Sequence, residues 1–367
     1  MKIKKVESGI HTIELYACNL KYSQVQKILD RQSESGTIFI DSRDDYNVDH
    51  SAKFYRDGIR FAVHQSHNKS NGTGFIFSPS SLLEGQDMPL ALYKPGKDSC
   101  HEIQCRVENA MHKIGLETNN YDGELVMKGE DLSLSQMDLT MNLWFDKDVD
   151  LTEIIRLFSK GNIPEYFKRY TYSQKKYGDI NRYCFIMKSK GITFKVYDKI
   201  HELKDNNRGS KKLQSKNVLR IEVSIKRKEF IRKFELDKDD SLHKMLKTGY
   251  KNLGPVIVNY AGKIFPCHGK HIRYDSAKKA IEHADIKPKI KKQMLFLLEK
   301  TSDGDGLDTA LEKLKKEYKI KDQRTVKNIY TSFDKLEINP ITLRNDSSIK
   351  EMPCILDMIQ EVEKQID

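Results

Sequence analysis

The sequence predicts an α+β protein: a twisted antiparallel sheet with helices packed on one face, followed by a mainly helical C-terminal part. Three observations lead there. About eight short segments before residue 230 alternate apolar and polar residues and are separated mostly by turn signals, not by regular helical crossovers. Three of those segments, 135–144, 192–197 and 218–225, each carry a firm apolar face opposite a mostly polar one. Beyond residue 230 the apolar spacing changes from two to the helical period. The expected division is a sheet domain over 1–235 and a helical domain over 236–367.

In chain order, residues 8–16 read as a strand with Ile13 and Leu15 on one face. A helix around Gln24–Arg31 follows, with Val25, Ile28 and Leu29 at helical spacing. Strands are expected near 36–40, 58–64 and 74–78, with Asn68–Gly74 as the turn joining the last two. Residues 79–98 hold Pro79, Gly85, Pro89, Pro95 and Gly96 and read as a loop. Asp98 or Ser99 is the expected cap of a helix to 114, whose inner face is Ile103, Val107, Ala110, Met111 and Ile114, with Gly115 as stop. Leu151–Lys160 reads as a helix. Strands are expected near 169–173 and 182–188, the latter joined to 192–197 by a tight turn at Lys190–Gly191. Residues 204–216 read as a basic loop.

In the C-terminal part Ile290, Met294, Leu297 and Leu298 form one stripe, and a last helix spans about 354–364. Leu307–Glu317 and Gln323–Leu336 read as a helix pair. The second helix would bury Val326, Ile329, Tyr330, Phe333 and Leu336 and leave Arg324, Lys327, Asn328 and Thr331 outward. This pattern fits a helix-turn-helix whose second helix reads DNA, and equally a plain helical hairpin with a solvated face.

Hydrophobic residues make up 38% and charged residues 32% of the 367, which fits a soluble globular protein. No run approaches a membrane span and the first residues have no signal-peptide core, so a cytoplasmic setting is expected. The six cysteines are scattered without a Cys-x-x-Cys pair, against a zinc ribbon or a disulfide framework. The net charge of +11 is uneven: −6 over 1–150, +20 over 151–300 and −3 over 301–367. Such a local basic field implies a polyanionic partner, most simply nucleic acid; the plain alternative is a lysine-rich solvated surface.

Tyr197 ends the strand 192–197 on the face away from Phe194 and Val196, between Lys195 and Lys199. If the three patterned strands share a sheet, Asp138, Asn142, Lys195, Tyr197, Arg220 and Glu222 share one face. Two mid-strand acids beside a tyrosine and several cations form an oxygen-rich site for Mg²⁺ or Mn²⁺, with Asp138, Glu222 and Asn142 as the candidate ligands. The chemistry this points to is phosphoryl transfer with Tyr197 as nucleophile. Lys195, Lys199 and Arg220 would hold phosphates or lower the phenol's pKa. The structural alternatives are an edge tyrosine that only packs, and charges paired across strands.

The order of these stretches resembles the replication initiation factor family, the initiators of small rolling-circle plasmids and related conjugative-transposon relaxases. Met137–Thr140 matches its (Arg/Met)-Asp-Leu-Thr/Ala strand, and Lys195–Lys199 its Tyr-(Asn/Asp)-Lys strand end, with Glu202 shortly after. Arg220–Arg227 matches its Arg-(Ile/Val)-Glu-Val strand with trailing Lys/Arg, and an aromatic- and glycine-rich hairpin over 170–183 also fits. The likeness covers roughly residues 70–235. It implies a nickase fold on a twisted antiparallel sheet, Tyr197 as the nucleophile, Asp138 and Glu222 as metal-binding acids, and Asn142 where some members carry a second acid. It also implies dimerisation and a helicase partner.

The expected function is therefore a rolling-circle initiator or relaxase that cuts and rejoins one origin strand through a 5′-phosphotyrosine. Lys226, Arg227, Arg324, Lys327 and Asn328 are its candidate DNA contacts. The rival is a non-catalytic DNA-binding replication or regulatory protein. A third reading is an RNA-binding protein that stacks bases on Tyr170, Tyr172 and Tyr177.

Overall fold

The computed structural model describes residues 3–20, 22–34, 39–43, 49–65, 71–116, 132–171, 180–208, 213 and 215–364. The protein is α+β, built on a large antiparallel sheet and followed by a helical C-terminal part. Its main strands are β1 (Lys5–Leu20), β2 (Phe39–Arg43), β3 (Asp49–Arg56), β4 (Ile59–Gln65), β5 (Asn71–Phe77), β6 (Ser133–Trp144), β7 (Lys168–Tyr170), β8 (Cys184–Lys188), β9 (Ile192–Asp198) and β10 (Val218–Lys226).

The backbone forms two compact units. One holds residues 8–140 and 224–253, the other 1–7, 141–223 and 254–367, so β6 and β10 run through the division.

In the first unit the strands follow the order β2-β3-β4-β5-β1-β6. β2 to β5 form an antiparallel meander, and β5 also pairs antiparallel with β1 from Ile13 opposite Phe77 to Leu20 opposite Asn71. Ile13, Leu15, Phe61, Val63, Phe75, Met137 and Leu139 are buried, as period-two alternation requires of a half-covered sheet. The helix Leu242–Lys251 packs tightly on β6. A Cβ on its Gly249 would lie 2.5 Å from Met137 Sδ, so any larger residue there would have to displace the Met137 thioether.

The helix Lys97–Ile114 buries the five residues expected of it and ends at Gly115 in the left-handed region. Its cap is Gly96, two to three residues earlier than expected, with Ser99 at the third helical position reaching back to the Gly96 N–H at 3.2 Å. Two expectations fail here. Residues 79–84 form a helix capped by Ser78, because Pro79 at the first helical position starts a helix as readily as it breaks one. Asn71–Gly74 belongs to β5 instead of a turn, and β3 has no counterpart among the expected strands.

In the second unit the order is β6-β10-β9-β8-β7. Phe185 and Met187 of β8 stand opposite Val196 and Phe194 of β9, and all four are buried. Phe158, from the helix Leu151–Lys160, packs on this face, with its ring 6.1 Å from both Phe185 and Phe194 and 5.0 Å from Phe265. The same helix is fastened at Glu153, where Arg156 binds both carboxylate oxygens and Arg344 Nε lies at 3.4 Å. Helices Leu253–Ile264, Tyr274–His283, Pro288–Ser302, Leu307–Glu317, Gln323–Lys335 and Ile355–Glu363 complete the unit. Two-residue strands β11 (His271–Ile272) and β12 (Glu351–Met352) tie its chain end. Part of the expected strand 182–188 is a short helix, Ile180–Tyr183, and the expected loop from 204 begins inside a helix, Lys199–Asp205. Tyr172, Tyr177 and most of the hairpin 170–183 lie outside the described residues.

Candidate active site

β9 alternates as its sequence requires. Phe194 and Val196 are buried on one side, and Lys195 and Tyr197 are half-buried on the other. β10 differs from expectation. Its whole run from Val218 to Ile225 is buried, so Arg220, Glu222 and Ser224 are enclosed instead of lying on a solvated polar face. A carboxylate and a guanidinium withdrawn from water must find partners, and both do.

Glu222 is the hub. Tyr197 Oη donates to its Oε2 at 3.1 Å, and Lys195 Nζ donates to its Oε1 at 2.5 Å. Arg220 Nε donates to Asn142 Oδ1 at 2.7 Å, which gives the candidate ligand Asn142 a cation to hold. Asp198 ends β9 and starts the next helix: its Oδ1 accepts from the Ile200 and His201 N–H groups, both at 2.9 Å. That turn buries Lys199, whose Nζ donates to Glu202 Oε2 at 2.7 Å and lies 5.9 Å from the Tyr197 ring centroid.

The electrostatics run against one expectation. The Tyr197 phenol is raised well above its ordinary value: burial raises it most, the Glu222 carboxylate adds to that, and Arg220 and Lys195 offset only part. The neighbouring cations therefore do not produce a tyrosinate at rest. Lys195 neutralises Glu222 and Arg220 donates to the Asn142 amide oxygen, while the phenol keeps its proton. Lys199 is lowered to about 8, first by burial and then by the Arg220 charge. Cys184, opposite Tyr197 on β8, is pushed up to about 12 by burial and is an inert thiol.

Asp138 is buried on β6 in the other unit, where it accepts from Gln136 Nε2 at 3.2 Å. His11 stands on the neighbouring strand β1, and one of its ring nitrogens lies within 4.8 Å of an Asp138 carboxylate oxygen. No sequence signal marks His11, since it has no histidine partner at strand or helix spacing and meets Asp138 only through strand order. Lys226 is exposed where β10 ends, and Arg227 donates to the Lys238 carbonyl. Arg324, Lys327 and Asn328 are exposed on the helix Gln323–Lys335, whose Val326, Ile329 and Phe333 are buried as expected. Cys100, Cys267 and Cys354 are buried free thiols, and no helix among the described residues is long and apolar enough to cross a membrane.

No protein-family model and no curated protein matches this sequence. Among solved structures the chain is similar to a rolling circle replication initiator protein from Geobacillus stearothermophilus. The identity is 7% and the TM-score 0.33, over 71% of this chain and 86% of that one.

Proposed function

We propose that the protein is a rolling-circle replication initiator or relaxase that nicks and rejoins one DNA strand through a covalent phosphotyrosine. The observation that carries this reading is the hydrogen bond from Tyr197 Oη to Glu222, whose other oxygen is held by Lys195. A nucleophilic hydroxyl, an adjacent carboxylate to take its proton and a cation to orient that carboxylate are the three parts of an activated nucleophile. Tyr197 Oη attacks phosphorus, and its proton passes to Glu222. As the Oη–P bond forms, the bond from phosphorus to the 3′ oxygen breaks. The departing oxygen takes a proton from the Lys199 ammonium, which at about 8 is acidic enough to give it near neutral pH. Arg220, held by Asn142, supplies fixed positive charge. Rejoining runs the same steps in reverse.

The donors fit a divalent ion. Asp138 and His11 would hold it; an oxygen and imidazole set suits Mn²⁺ better than Mg²⁺. An ion bound there would supply positive charge to a phosphate oxygen. In this role the sheet part, residues 1–235, cuts, and the exposed Arg324, Lys327 and Asn328 of the helical part, 236–367, contribute origin recognition. A helicase and a second copy of the chain are its expected partners, beside origin DNA.

The test is incubation with supercoiled plasmid carrying the cognate origin and Mn²⁺ or Mg²⁺. Wild type gives a covalent protein–DNA adduct and Tyr197→Phe does not. An adduct that survives in Tyr197→Phe overturns the assignment. One observation favours the non-catalytic DNA-binding reading: a phenol raised this far and tied to a buried carboxylate also describes a structural tyrosine. Origin binding without an adduct from wild type decides for it.

A further inference from the structure

β7 is the last strand of its sheet, and all three of its residues are exposed. Beside it lies an open cleft of about 440 Å³ lined by Tyr166, Lys168, Tyr170, Lys188 and Lys190 among others. Three features of this cleft call for an anionic, aromatic ligand. First, Lys168 stands directly opposite Lys188 across the β7–β8 ladder, a like-charge pair that repels unless an anion lies between, and Lys190 follows two residues on. Among the described residues no acid lies at ion-pair distance from these three lysines. The adjacent Arg169 is turned to Asp308, at 3.8 Å. Second, Tyr166 is 84% exposed and sits at φ 70°, a left-handed conformation that is a genuine outlier for a bulky side chain. Strain of this kind concentrates at ligand clamps. Third, Lys188 Nζ lies 4.1 Å from the Tyr170 ring centroid, which fixes an ammonium beside an exposed ring.

The strand register connects the cleft to Tyr197. Lys168 opposes Lys188, Tyr170 opposes Ile186, Ile186 opposes Lys195, and Cys184 opposes Tyr197. Residues directly opposite project to the same side, as do residues two apart. Lys168, Tyr170, Lys188, Lys195 and Tyr197 therefore share one sheet face. Lys188 lies four residues along β8 from the partner of Tyr197, about 13 Å at strand spacing.

We infer that this edge is a binding track for single-stranded DNA: Tyr166 and Tyr170 stack unpaired bases, Lys168, Lys188 and Lys190 hold the phosphates, and the track leads the strand to Tyr197. Unpaired bases are required because a duplex hides their π-faces. The choice of DNA over RNA rests on the nickase reading; the cleft itself does not.

The experiment is fluorescence anisotropy with a labelled 12-nucleotide oligo(dT), titrated at several salt concentrations, using the full chain. Tyr166→Ala weakens binding by about tenfold, in the range of one lost base stack, and Tyr166→Phe restores it. Lys188→Gln with Lys190→Gln lowers the slope of log K against log salt by about 1.4, for two lost phosphate contacts. Tyr55→Ala, at an exposed tyrosine of the other unit, binds like wild type. Wild-type affinity and slope in the cleft variants overturn the inference, as does tighter binding of oligo(U) than of oligo(dT). The two proposals fail separately. Cleft-dependent binding without an origin adduct sinks the nickase and keeps the track. An adduct with no effect of the cleft variants does the reverse.

Discussion

Replacing Glu222 by Gln removes the charge at the centre of the site while keeping a hydrogen-bond acceptor of the same shape. Two consequences follow from the geometry. Lys195 loses a carboxylate 2.5 Å away, and Tyr197 loses a charged acceptor at 3.1 Å. The Glu222 side chain is 3% exposed and that of Lys195 29%, so the pair stands between the surface case, below about 1 kcal/mol, and the enclosed case, about 3–5 kcal/mol when one partner is removed. A loss of about 2 kcal/mol is expected for Glu222→Gln. A double-mutant cycle with Lys195→Met should give a coupling of about 1.5 kcal/mol. The assay is urea unfolding followed by circular dichroism for wild type, both single variants and the double. Because the Glu222 carboxylate raises the Tyr197 phenol, Glu222→Gln also moves that phenol down toward 10, read by NMR of ring-labelled tyrosine with Tyr197→Phe for assignment. Unchanged stability, a coupling near zero and an unmoved phenol would together refute the hub described for Glu222.

Lys199 is lowered to about 8 from an unfolded value near 10.5, so the unfolded chain binds more protons between those pH values. Stability should rise by about 3 kcal/mol from pH 8 to 10.5 on this account, and Lys199→Met should flatten that rise in a pH series of unfolding curves. Asp198→Ala removes the cap that turns β9 into the following helix. It should cost about 1 kcal/mol in the same assay and reduce adduct formation by loosening Lys199 against Tyr197. Tyr166→Asn, which tolerates the left-handed backbone, should stabilise the protein by about 1 kcal/mol while weakening oligo(dT) binding. A Tyr166→Asn variant with unchanged stability would show that φ 70° carries no strain.

Much of the fold was legible because local period and local chemistry agree. The apolar alternation of β6, β9 and β10 and the inner face of Lys97–Ile114 fall where their spacing puts them. The misread pieces have two causes. Pro79 both breaks and starts helices, and Asn71–Gly74 has turn composition yet pairs with β1 and β4. The first is an ambiguous local signal; in the second a long-range strand partner outweighed a local propensity. In the site, alternation alone correctly grouped Lys195 with Tyr197 and Arg220 with Glu222. It could not say that the β10 face is covered, because period two tells which residues share a side and not what lies over it. Only the assembled sheet made Glu222 the acceptor for Tyr197 and Lys195 and brought His11 beside Asp138. Burial and the partner across a strand are properties of chain segments far apart in sequence. The sequence by itself therefore determined which side chains could do chemistry, and the tertiary structure decided which of them meet and in what protonation state.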